Sequence, residues 1–91
     1  MKMKIIKNAS AGTMESSDVY VEIKPCDDGI KIELESVVEK QFGEKIKETV
    51  NDVLIETGVK NADIRIVDRG ALECVIRARV ETAVLRGREE I

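Results

Sequence analysis

Apolar and polar residues alternate over Val19-Tyr20-Val21-Glu22-Ile23-Lys24, which puts Val19, Val21 and Ile23 on one face. That period of two is the signature of a half-buried strand. Ile30-Lys31-Ile32-Glu33-Leu34-Glu35 repeats it. Between the runs lies Pro25-Cys26-Asp27-Asp28-Gly29, where proline fixes φ and Asp-Gly suits a positive φ. The two runs therefore predict an antiparallel hairpin pairing 19–24 with 30–35.

The period then changes. Val38, Phe42, Ile46, Val50, Val53 and Leu54 recur at three- and four-residue spacing, with Glu39, Lys40, Glu44, Lys45, Lys47 and Glu48 opposite them. This predicts an amphipathic helix over 38–57. Ser36 stands as its N-cap with Glu39 three residues on, and Gly58 stands as its stop. Gly43 inside it costs about 1 kcal/mol relative to alanine. Ala62 to Asp68 alternates again and predicts a third strand, ended by Arg69-Gly70. From Leu72 onward the apolar positions fit a strand or a helical stripe. The segment runs to about residue 88 without a turn signal and is rich in Ala, Leu, Glu and Arg. Those features select a helix. Residues 1–8 look loosely attached and 9–17 look like loop, so 1–17 is expected to be a flexible segment. The predicted class is α+β, in β-β-α-β-α order: a small, mostly antiparallel sheet packed on one face against two helices.

Composition narrows the rest. The chain has 91 residues, the size of one domain, here taken as 1–91. With one Tyr, one Phe and no Trp, its core must be aliphatic. A net charge of −3 argues against nucleic acid, which needs a basic stripe. No apolar run reaches the ~20 residues of a membrane span. The short basic start is not a signal peptide, and cytoplasmic residence is the default. Cys26 and Cys74 are expected to be free thiols: Cys74 as a small core residue, Cys26 exposed in its turn. Neither their spacing nor any cluster suits a metal.

The remaining chemistry is concentrated in Ala11-Gly12-Thr13-Met14-Glu15-Ser16-Ser17-Asp18. Two adjacent hydroxyls sit beside two carboxylates, in a chain without histidine or a Gly-rich phosphate loop. Gly, Thr, Ser and Asp are ordinary turn residues, and a plain solvated turn accounts for them. A modified serine accounts for them too. Self-sufficient catalysis has nothing to rest on: no base stands ready to activate a nucleophile.

Three blocks resemble the citrate lyase acyl carrier family, the gamma chain of that enzyme. They are Ala11 to Val19; Val38 to Phe42-Gly43, a V-x-x-Q-F-G helix start; and Asp68-Arg69-Gly70-Ala71-Leu72-Glu73-Cys74-Val75-Ile76-Arg77-Ala78-Arg79-Val80-Glu81. Each alone is weakly specific; the three in order span essentially the whole chain. Met14 replaces the usual leucine, and two extra residues precede the loop. The malonate decarboxylase carrier subunit has a similar layout.

The resemblance implies a non-catalytic carrier. Ser16, the first serine of Glu-Ser-Ser-Asp, would carry triphosphoribosyl-dephospho-coenzyme A through a phosphodiester. Ser10 lies off the motif. The acetyl thioester on that group would be exchanged for citryl by the alpha, transferase, subunit. The beta, lyase, subunit would then release oxaloacetate. A separate transferase would attach the group. Two alternatives stay open: a carrier of malonate decarboxylase, and an unmodified regulatory or scaffold domain.

Overall fold

A computed structural model describes residues 3–89. Four strands and two helices follow in the order β1 (Ala9–Gly12), β2 (Val19–Lys24), β3 (Ile30–Ser36), α1 (Glu39–Glu56), β4 (Ala62–Asp68) and α2 (Glu73–Gly87). The strands form one sheet, ordered β1-β2-β4-β3. β1 pairs antiparallel with β2, β2 antiparallel with β4, and β3 parallel with β4. The class is α+β and the sheet is mostly antiparallel, as the periodicity predicts.

The hairpin expected between 19–24 and 30–35 does not form. β4 lies between the two strands: Val21 faces Ile66 on one side, and Leu34 faces Ile66 on the other. The reason is burial. β4 carries Ala62, Ile64 and Ile66, all fully buried. Such a strand gains most at the centre of a sheet, and α1 serves as the crossover that a parallel β3–β4 pair requires. β3, whose apolar side chains are only half-buried, takes the edge.

The core forms where the sheet meets the helices. Val19, Val21 and Ile23 of β2 and Ile64 and Ile66 of β4 pack with Ile46, Val50, Val53 and Leu54 of α1 and Ile76, Val80, Ala83 and Val84 of α2. Fully burying one such side chain contributes about 1.5–3 kcal/mol. On the other face Arg65 lies opposite Glu22 and Glu33 and donates from Nη1 to Glu22 Oε1 at 2.9 Å.

Several local readings need correction. Residues 9–12 are a strand, because Ala11 is buried under the helices and Ser10 faces outward in the same alternation as β2. The segment before it is also held. Ile5 is buried, the Met3 N–H donates to the Gly58 carbonyl at 3.0 Å, and the Ile6 N–H donates to the Gly87 carbonyl at 2.9 Å. The expected looseness of residues 1 and 2 concerns positions outside those described. Ser36 ends β3 and does not cap α1; the cap position is Val38. Phe42, read as core, is half-exposed at the rim of a groove of about 290 Å³ between the first turns of α1 and α2. Cys74 is exposed on the first turn of α2, since helical spacing turns it away from Ile76 and Val80. Cys26 is only half-buried, and both thiols are free.

The end of α1 and the tail follow the sequence. Gly58 adopts φ +78° just after the last turn, and residues 73–87 are helical.

Candidate functional site

The serine segment connects β1 to β2. Gly12 ends β1 at φ +88° and lies against the Val19 backbone so closely that a Cβ there would stand 1.9 Å from the Val19 carbonyl oxygen. The stem of Arg79, reaching over from α2, occupies the other side of the same space. Only glycine permits this approach. The chain then passes through Thr13 and Met14 into a tight turn: the Asp18 N–H donates to the Glu15 carbonyl at 3.1 Å.

Ser16 and Ser17 are the two central residues of that turn. Ser17 has φ +66°, and it is the non-glycine residue with positive φ among the described residues. A positive φ at the third position and not at the second defines a type II turn. The Ser17 N–H also donates to the Arg69 carbonyl at 2.9 Å, while the Arg69 N–H donates to the Asp18 carbonyl at 2.9 Å. Two residues of one strand thus oppose one residue of its neighbour. This is a β-bulge whose first residue takes the left-handed conformation that glycine usually fills. Pairing of β2 with β4 therefore continues past Val19 and Asp68, and it locks the serine turn to the turn after β4.

Two aspartates hold this double turn. Asp18 Oδ2 accepts from the Thr13 hydroxyl at 2.6 Å, and Asp18 Oδ1 accepts from the Val19 N–H at 2.7 Å. Arg79 grips both oxygens, from Nε at 3.2 Å and Nη2 at 3.1 Å. The Thr13 hydroxyl and then the Val19 N–H, helped by Arg79 against the cost of burial, hold the Asp18 carboxyl at about 2, below its ordinary 3.8. Asp68 is buried on the β4 side. Its Oδ1 accepts from the N–H groups of Gly70 and Ala71 at 3.2 and 2.9 Å, and its Oδ2 accepts from the Ser36 hydroxyl at 2.8 Å. Ser36, read as a helix cap, is thus a clamp on the second turn.

Ser16 stands apart from this bonding. Its side chain is exposed, and neither serine hydroxyl has a partner among the described residues. Glu15 is exposed and Asp18 is committed to the loop. No base activates Ser16: the chain has no histidine. Such a hydroxyl is suited to be modified by another protein, not to attack a substrate itself. Ser10 lies on β1, where the backbone carbonyl accepts from Arg86 Nη1 at 2.9 Å. It is thus separated from the turn. Among the described residues no cluster of three or more His, Cys, Asp or Glu could hold a metal ion. Among them, no helix is long and apolar enough to cross a membrane.

The sequence singled out the serines and their two carboxylates but missed what holds them. Asp68 before Arg-Gly carried a visible signal, since an aspartate two residues ahead of a glycine favours a side-chain-closed turn. Arg79 carried none, because its contact spans 61 positions.

Comparison with known proteins identifies the family. The family described as "ACP: Malonate decarboxylase delta subunit (MdcD)" matches residues 6–87. The citrate lyase acyl carrier protein of Escherichia fergusonii is 55% identical, over 97% of this chain and 92% of its own. That of Halothermothrix orenii is 53% identical over 98% of both chains. A chain in the crystal structure of a Pseudomonas malonate decarboxylase hetero-tetramer in complex with malonate shares the fold. Its TM-score is 0.78 and its identity 21%, covering 93% of this chain and 87% of that one. On these grounds the chain belongs to the ACP family, and within it to the citrate lyase acyl carrier proteins.

Proposed function

We propose that this chain is the acyl carrier subunit of a citrate lyase complex, working in the cytoplasm, with Ser16 as the attachment residue. The observation that carries the reading is the contrast within the turn. The side chains that hold the loop, Thr13, Asp18 and Arg79, are bonded to one another, whereas the hydroxyls of Ser16 and Ser17 are exposed and unengaged, and the Glu-Ser-Ser-Asp motif selects Ser16 of the two. Chains half identical to this one bear the name of such a carrier.

The group to be attached is triphosphoribosyl-dephospho-coenzyme A, joined to Ser16 Oγ through a phosphodiester by a dedicated transferase. The fit is chemical. The apex is open, so a large group meets no wall, and the Asp18 negative charge is neutralised by Arg79 instead of opposing a phosphate. When bound, the group supplies a thiol that holds an acyl unit as a thioester. The residues of this chain supply anchoring. Gly12, Asp18, Asp68 and Arg79 keep the base of the arm fixed, while the arm itself sweeps. A tethered acyl group is thereby kept at high effective concentration for the neighbouring alpha (transferase) and beta (lyase) subunits, which convert citrate to acetate and oxaloacetate.

A second reading, the carrier of malonate decarboxylase, draws on the family description and the shared fold. Purification from the native source separates these readings. The proposal expects an intact mass above that of the bare chain, and subunits that cleave citrate. Co-purifying malonate decarboxylase activity would transfer the chain to the second reading. A bare mass in an active complex would leave an unmodified scaffold domain.

A further inference from the structure

We propose that Arg69 is the positioning residue of the arm, its guanidinium pairing with the phosphate oxygens of the ester on Ser16. This rests on the attachment reading above and concerns a side chain to which that reading assigns nothing.

The bulge sets the geometry. Arg69 exchanges backbone hydrogen bonds with Ser17 and Asp18, both at 2.9 Å. Residues paired across antiparallel strands lie with Cα atoms about 5 Å apart. Ser16 is one residue further, at the apex of the same turn, so the backbone of an exposed arginine is held one residue away from it. The turn cannot drift away from Arg69 without breaking both bonds.

Charge accounting points the same way. Arg65 pairs with Glu22, Arg77 with Glu56 and Arg79 with Asp18, and Arg86 donates to the Ser10 carbonyl. The guanidinium groups of Arg69 and Arg88 have no partner among the described residues, and of these two Arg69 is the one bonded through its backbone to the serine turn, to which Glu15 also belongs. A free planar cation on a residue whose backbone is bonded to the serine turn can reach a phosphate on Ser16, whose oxygens take two parallel N–H donors. A fork held at one side of the ester restricts rotation about the Ser16 side chain. The arm then leaves the carrier in one preferred direction instead of sweeping a full cone.

The test uses the full-length loaded carrier and phosphorus NMR. The diester on Ser16 is recognised by its coupling to the Ser16 β protons. In the wild type its resonance should move as sodium chloride rises to about 1 M, where exposed pairs are screened. In Arg69→Gln it should sit at the high-salt position throughout. Arg69→Lys, which keeps the charge but not the fork, should fall between. Arg88→Gln, at the other end of α2, should behave as wild type. Since the Arg69 side chain is exposed, Arg69→Gln should melt with the wild type; if it does not, Arg69→Lys carries the comparison. A diester present on Ser16 with the same position and salt response in wild type, Arg69→Gln and Arg69→Lys overturns the inference alone. Absence of any adduct on Ser16 overturns the attachment reading, and the inference falls with it.

Discussion

The two ends of β2 carry connections of opposite character. At its start, residues 13–18 link adjacent antiparallel strands and are pinned from three directions: Thr13 through Asp18, Arg79 from α2, and Arg69 from the turn after β4. At its end, residues 25–29 lead to β3, which lies two strands away across β4. That span is about 9–10 Å at the usual strand spacing. There the anchoring is one side chain and one backbone bond: the Gly29 N–H donates to Asn61 Oδ1 at 2.9 Å, and the Ala62 N–H donates to the Gly29 carbonyl at 3.0 Å. One connection merely spans, while the other builds a rigid pedestal under an exposed hydroxyl. Under the proposed function, this pedestal would be the fixed base from which the attached group extends.

The glycines at the two ends offer the sharpest contrast. Gly12 and Gly29 have φ of +88° and +82°. A Cβ at Gly12 meets the Val19 carbonyl oxygen at 1.9 Å, whereas at Gly29 nothing lies within 4 Å. Gly29→Ala should cost about 1–2 kcal/mol, the penalty for a left-handed alanine. Gly12→Ala should cost about 3 kcal/mol or more, adding overpacking against backbone. Urea melts decide this, and equal losses would mean that the contact at Gly12 relaxes freely.

Asp18 should come next in size. Charge-assisted hydrogen bonds contribute roughly 1.5–3 kcal/mol, less where a partner such as Arg79 is partly solvated. Asp18→Asn should therefore cost about 1–2 kcal/mol at neutral pH. Because the folded carboxyl titrates at about 2 and the unfolded one near 3.8, its contribution is complete above 3.8. It is lost as pH falls through about 2. Wild type and Asp18→Asn should accordingly converge in stability between pH 4 and 2. Curves that remain parallel over that range would remove Asp18 from the pedestal.

Ser17→Gly should have a smaller effect of opposite sign. Glycine relieves a left-handed residue of about 1–2 kcal/mol of strain but loses about 0.5–1 kcal/mol to greater freedom when unfolded. A net stabilisation of about 0.5 kcal/mol should appear in the same melts. A loss of stability would show that the Ser17 side chain supports the turn.

Sequence periodicity revealed the elements better than their neighbours. Alternation in 19–24, 30–35 and 62–68 found three strands, because each buries one face. It carried no information on pairing order. Pro25 to Gly29 has the residues of a hairpin turn, yet turn residues permit a reversal without requiring the next strand to be adjacent. Preference for the sheet centre came from burial on β4, a tertiary effect. β1 escaped notice because Ala9-Ser10-Ala11-Gly12 is short and small-sided, with little hydrophobic contrast. At the candidate site, the exposed turn around Ser16 and Ser17 was legible in its Gly, Thr, Ser and Asp residues. Arg79 and Arg69 were not, because their contacts with 17–18 are made by folding across more than 50 positions.

Ser16→Ala should leave stability within about 0.5 kcal/mol of wild type, as an exposed loop substitution does. That makes it a clean probe of chemistry. The decisive measurement is peptide mass spectrometry of the chain from the native complex, alongside complexes rebuilt with Ser16→Ala and Ser17→Ala carriers. The account predicts an adduct on the Ser16 peptide, lost together with citrate cleavage in Ser16→Ala and kept in Ser17→Ala. An adduct on Ser17 or Ser10, or a citrate-cleaving complex whose carrier bears none, would contradict it.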